Sequence, residues 1–328
     1  MHFWESGFSY RTPCWHGLGN IIQERPQSVQ NALDLAGLNW TVSKVPLYAK
    51  TSEAEEPKER FSLVLDHQAI VRSTDRSVLG IVTPKYEPIQ NKTMMDFIWE
   101  LTQQEQSLSL ETAGSLKSGK IVWALSLLRE FEVKGIEEEL NQTYVLITNS
   151  HDGSNALRVL LTGVRVVCWN THSMAIAGAD NIWSIRHIGN VHARVEECRK
   201  SLELASEWSK TDEDAMNTLA GEQCEEDLFK ELMEQVWWYD EDEDDDEKAE
   251  KMERKREQLL ENYNQVNDST SLGGTKYAAF QAVAEQLDYL TIARGDDETA
   301  QNARRFERTF IDQVSLNAKS TALHLLLN

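Results

Sequence analysis

Cysteine is scarce in this chain: four in 328 residues, at positions 14, 168, 198 and 224, with no Cys-x-x-Cys pair and no framework spacing. That excludes a disulfide scaffold and makes reduced thiols the expectation, as in a cytoplasm. No apolar run approaches the roughly 20 residues that a membrane span requires. The opening Met1-His-Phe-Trp-Glu lacks the basic start and apolar centre of a secretory leader. The expectation is a cytoplasmic protein without a membrane partner. Catalytic signatures are missing too: no Walker-type loop, no Gly-x-Gly-x-x-Gly after a strand, no Gly-x-Ser-x-Gly and no His-Glu-x-x-His. Cys168 and His172 stand four apart, but a zinc site needs about four ligands and the remaining cysteines and histidines keep no recognised spacing. No metal, cofactor or catalytic residue is therefore assigned.

What the chain has in excess is acid, and the acid is local. The net charge is −21, yet residues 201–250 alone hold 20 acidic against 3 basic residues. Asp240-Glu-Asp-Glu-Asp-Asp-Asp-Glu247 repels itself and reads as a solvated insert within 238–250. It is either a solubilising linker or an acidic regulatory arm that occupies a basic groove, and it is also the candidate contact for a protein partner. The rest is nearly balanced, so the objection that acidic proteins avoid nucleic acid applies to that segment alone. An apolar fraction of 41% and ten tryptophans are those of a folded chain.

Ser28 opens a short amphipathic helix that Gly37 stops. A strand over 38–48 and a meander over 61–65, 69–72 and 78–82 follow, with Asp66-His67 as one of its turns. Asn91 is expected to cap the next helix. Strands over 107–113 and 120–127 lead to a hairpin over 143–149 and 156–162, around Asp152-Gly153. Helical patterns fill 191–208, 247–264, the stretch after Thr275, and 306–327. The predicted class is α+β: an antiparallel, hairpin-rich sheet with helices packed on it, followed by a helical C-terminal part. The division is a core over 1–210 and a helical region over 211–328.

Candidate function concentrates in 143–199, which holds four of the eight histidines. Arg158, Arg165, Arg186 and Arg194, interleaved with Trp169, suit sequence-tolerant single-strand binding, in which cations track phosphate and aromatics stack on bases. The bland alternative is ordinary surface charge paired with the abundant carboxylates. Asn149, His151, Asp152 and His187 form a possible polar site, against which stands the reading that Asn149 and Asp152 merely bond the hairpin's own backbone. In the N-terminal loop, Trp15 and His16 either line a pocket or anchor the arm.

Thr12-Pro-Cys-Trp-His-Gly-Leu-Gly19, Tyr86-Glu-Pro-Ile-Gln-Asn91, Thr112-Ala-Gly-Ser-Leu116 through Trp123, Asn149-Ser-His-Asp-Gly153, Arg165-Val-Val-Cys-Trp-Asn-Thr171, Ile185-Arg-His187 with Gly189-Asn190, and Gly274 through Asp288 occur in this order. Together they resemble the phage/plasmid-like family catalogued as domain of unknown function 932. Gln281 and Gln286 depart from that pattern, where Asn and Tyr are expected. The resemblance implies carriage by phages or plasmids in a bacterial cytoplasm but no settled activity. The hairpins with a helix across them are similar to single-strand annealing proteins of the Rad52 type. The expected function is single-stranded DNA binding that promotes annealing by a homo-oligomer. The alternative is a non-enzymatic factor that contacts a host or phage protein through the acidic and helical C-terminal region.

Overall fold

The structure is a computed structural model describing residues 4–11, 19–52, 60–104, 109–165, 171–172, 182–190, 193, 205–236, 246–269, 272–291, 297–310 and 313–328. Its strands are β1 (Trp4–Tyr10), β2 (Asn20–Ile22), β3 (Val42–Lys50), β4 (Phe61–Arg72), β5 (Val78–Val82), β6 (Ser109–Leu116), β7 (Ile121–Glu132), β8 (Leu140–Ser150), β9 (Leu157–Arg165), β10 (Thr171–His172) and β11 (Ile182–Ile185). Its helices are α1 (Val29–Ala36), α2 (Asn91–Gln104), α3 (Ala205–Gly221), α4 (Glu226–Val236), α5 (Asp246–Ser269), α6 (Lys276–Glu285), α7 (Glu298–Phe310) and α8 (Gln313–Leu327), with a π-helical turn over Gln286–Leu290.

The larger sheet has eight strands ordered β10-β9-β8-β7-β6-β1-β2, with β11 sharing the outer edge of β9 with β10. Every pairing in it is antiparallel except β1 with β2. A separate three-stranded sheet runs β3-β4-β5. The α+β class holds, with helices gathered towards the C-terminus.

Alternation along each strand sends successive side chains to opposite faces, and both faces of the central strands are covered. Leu116, Ile121, Trp123, Leu125, Tyr144, Leu146, Leu160 and Val164 pack with Ala303 and Phe306 of α7 and Leu316 of α8. The Trp123 and Phe306 rings lie 4.6 Å apart. The alternate positions Val122, Ala124, Val145, Ile147, Val159 and Leu161 join the main core with Met94, Phe97 and Ile98 of α2. That same core runs on through Met216, Phe229, Tyr263 and Phe280 of the C-terminal helices. Among the described residues no helix is long and apolar enough to cross a membrane.

Local chemistry explains most element ends. Ser28 Oγ accepts from Asn31 N at 3.1 Å, and Gly37 closes α1 in the left-handed region, φ 68°. Thr275 Oγ1 caps α6 by accepting from Ala278 N at 3.2 Å. Three expectations need correction. Asp66-His67 is not a turn, because β3 pairs with β4 on both sides of it and residues 65–67 bulge within one strand. Asn91 does not cap α2 but begins it, its side chain being drawn into tertiary bonds. The helix expected over 306–327 is two, α7 and α8. Trp15, His16 and most of the acidic run lie outside the described residues.

Candidate functional site

β8 places Asn149 on the same face as Val145 and Ile147, and His151 follows two residues on. The segment after β5, residues 84–91, crosses this end of the sheet and is held by polar side chains on both sides. Tyr86 Oη donates to Ser150 O at 2.8 Å, and Asn149 Nδ2 donates to Ile89 O at 3.1 Å. His187 approaches from beyond β11: its Nδ1 bonds Glu87 O at 3.0 Å, and Glu87 N donates to His187 O at 2.7 Å. Its ring stacks on Tyr86 with centroids 4.6 Å apart.

His151 has no exposed surface. Its Nε2 lies 2.8 Å from Asn91 Oδ1, while Asn91 Nδ2 donates to Leu38 O at 3.1 Å and Trp40 O at 3.3 Å. Those two carbonyls fix the amide's orientation, so Asn91 Oδ1 accepts and His151 Nε2 carries the proton. The Trp40 ring meets His151 edge-on at 5.3 Å, and the Arg72 guanidinium, itself paired with Glu5, sits over Trp40. Asp152 turns back on its own loop, accepting from Ser154 N at 2.9 Å. Gly80 of β5 presses on it: a Cβ there would stand 2.4 Å from Asp152 Cα.

Burial, then the neighbouring His187, then Arg72 push the His151 pKa down to about 3, against the pull of Asp152. Burial also lowers His187, opposed by its bond to Glu87 O. Burial raises the Tyr86 phenol, and Asp152 adds to the rise. Both imidazoles are therefore neutral near pH 7. A base as weak as His151 is poorly matched to proton abstraction at that pH.

Of the polar cluster, then, Asn149, His151 and His187 each bond the same segment, at Ile89, Asn91 and Glu87, and Asp152 serves its turn. The backbone reading holds for Asp152 but not for Asn149, which bonds a distant segment. The nucleic-acid residues are less well assembled. Arg158 pairs with Thr148 and Ser184 in register and is half-buried. Arg165 lies seven residues further along β9, at the register position opposite Asn141 of β8. Arg186 is exposed. Trp169 and Arg194 lie outside the described residues.

One surface escaped the sequence reading. Register places Tyr48 beside Leu63 and Lys50 beside Phe61 at the end of the β3–β4 hairpin, with Tyr48 58% and Phe61 42% exposed. Lys44, Pro46, Tyr48 and Lys50 share one side of β3. The Lys44 ammonium bonds Pro84 O and Tyr86 O and pairs with Glu87. Tyr86 bridges Ile188, which is 50% exposed and two residues from Arg186. Exposed apolar and cationic side chains thus line the β3–β4 hairpin, and the contacts of Lys44 with Tyr86 and of Tyr86 with Ile188 link it to the segment that carries Arg186. The sequence signal of this surface is the apolar run Phe61-Ser-Leu-Val-Leu65, which the period of the chain identifies only as a strand of the meander.

A family model described as Domain of unknown function (DUF932) matches residues 78–310. No curated protein and no solved structure matches.

Proposed function

The chain belongs to the family of domain of unknown function 932, and we propose that it binds single-stranded DNA through the β3–β4 hairpin and the segment that carries Arg186. The observation that carries this reading is Tyr48, Phe61 and Leu63 held in solvent beside Lys50 on a hairpin outside the large sheet, with Ile188 and Arg186 exposed on the segment that bridges Tyr86. Core side chains cover both faces of the central strands of the large sheet, whereas the β3–β4 hairpin holds its aromatics in solvent, which supports stacking there. Exposed aromatics accept any base face, and cations neutralise phosphate without reading sequence. Annealing follows if two copies present complementary strands with their bases outward, a role suited to phage or plasmid DNA metabolism.

Fluorescence anisotropy with a labelled oligothymidine across a salt series tests the binding. Affinity should fall with salt, and Arg186→Ala should flatten the slope by roughly 0.7 for each phosphate it no longer neutralises. Tyr48→Ala and Phe61→Ala should each weaken binding by about 1–3 kcal/mol. Absence of binding at low salt, or binding indifferent to all three substitutions, defeats the proposal. Deleting residues 238–250 separates it from the partner-docking alternative. Loss of a protein pull-down with oligonucleotide binding intact would favour the latter.

A further inference from the structure

The polar seam along residues 84–91 holds three buried atoms with the same unmet requirement. His151 Nδ1, His187 Nε2 and Asn149 Oδ1 have no hydrogen-bond partner among the described residues. Their chemistry is fixed by what their other ends do. His151 carries its proton on Nε2 toward Asn91, so Nδ1 is a bare lone pair. His187 carries its proton on Nδ1 toward Glu87 O, so Nε2 is bare. Asn149 donates through Nδ2 to Ile89 O, so its oxygen accepts. Flipping any of the three would break the bond that orients it.

All three are acceptors, so none can satisfy another. They belong to one neighbourhood: His187 stacks on Tyr86, Tyr86 bonds Ser150 O, and Ser150 stands between Asn149 and His151. A bare acceptor buried without a donor has lost its water and gained nothing in return, so it destabilises the fold. One water brings two hydrogens to three acceptors, whereas a cation serves all of them. A histidine that ligates a metal commonly donates its other ring N–H to a carbonyl or another polar oxygen, which fixes tautomer and orientation. Both imidazoles here do so.

We propose that His151 Nδ1, His187 Nε2 and Asn149 Oδ1 form a binding site for one divalent transition-metal ion of the imidazole-preferring class, such as Zn2+ or Co2+. Among the described residues no group of three His, Cys, Asp or Glu is placed to hold a metal. The third ligand is an amide oxygen, and a ligand set without thiolate or carboxylate makes this a weaker site than a structural zinc finger. Asp152, whose charge acts on His151 and Tyr86, offsets part of the buried positive charge.

The test uses the full-length protein, stripped with a chelator and dialysed, and titrated with Zn2+ in a calorimeter and with Co2+ by absorption. One ion should bind per chain, with Co2+ giving ligand-field bands. His151→Gln and His187→Gln should each weaken binding by at least about 100-fold, the upper end of what second-shell losses cost. Asn149→Asp adds a charge to the ligand set, so it should bind Zn2+ more tightly and gain more thermal stability from it than the wild type. That gain decides the matter even if a histidine variant fails to fold. Three results overturn the proposal: no stoichiometric uptake by the wild type, uptake indifferent to both histidine substitutions, or a folded Asn149→Asp that binds no better.

Discussion

Acidification should unfold this protein through His151 in a way that can be calculated. In an unfolded chain the imidazole has the ordinary value of 6.5, whereas in the fold burial, His187 and Arg72 hold it at about 3. Below pH 6.5 the unfolded state binds a proton that the native state refuses, so native stability falls with pH and stops falling only near pH 3. Between pH 8 and pH 5 the linkage amounts to about 2 kcal/mol, a large share of the roughly 5–15 kcal/mol that stabilises a domain. Urea unfolding in the presence of a chelator, followed by tryptophan fluorescence at pH 8, 7, 6 and 5, measures it. His151→Gln keeps a donor for Asn91 and cannot titrate, so its stability should fall less steeply, with the two curves converging by about 2 kcal/mol at pH 5. His187 also titrates low and contributes to both curves, so their difference isolates His151. Identical slopes would show that His151 is not held neutral by burial, and the reasoning behind the seam would fail.

The other predictions concern packing and buried charge. Gly80→Ala should destabilise by about 1–3 kcal/mol, since the new Cβ would overlap the Asp152 backbone at 2.4 Å and backbone cannot swing aside; thermal unfolding measures this. Lys319, with no exposed surface, bonds Asp288 at 2.5 Å, and Asp288 also accepts from Thr309 at 3.1 Å. Replacing the lysine alone with Met should cost about 3–5 kcal/mol by stranding the carboxylate, and adding Asp288→Leu should recover much of it. Because burial depresses the Lys319 pKa below its usual 10.5, stability from this group should rise as pH climbs toward 10.5, a slope that Lys319→Met should lack. Thr275→Ala should cost about 1 kcal/mol through loss of the α6 cap, readable by urea unfolding.

Local rules carried furthest where one residue settles a local geometry. Ser28 and Gly37 bound α1 because a hydroxyl and a left-handed glycine satisfy helix-end groups whatever lies around them. Thr275 does the same for α6. The hairpin at Asp152-Gly153 was legible from positive-φ chemistry, and Asp152 bonds its own turn as expected. Asn91 shows where such rules stop. Its side chain suits a cap, but Leu38 O, Trp40 O and His151 offer a buried network that the chain only brings together in three dimensions. Likewise β4 runs through Asp66-His67 because β3 is long enough to pair on either side of a bulge.

The family and the α+β class were readable from residue types and their order. Which histidine nitrogen is bare, that both faces of the central strands are covered, and that Tyr48 and Phe61 stay in solvent were not. Composition and spacing act over a few residues. Tautomers, strand register and burial depend on partners far along the chain, and only the folded molecule decides which of those arrive.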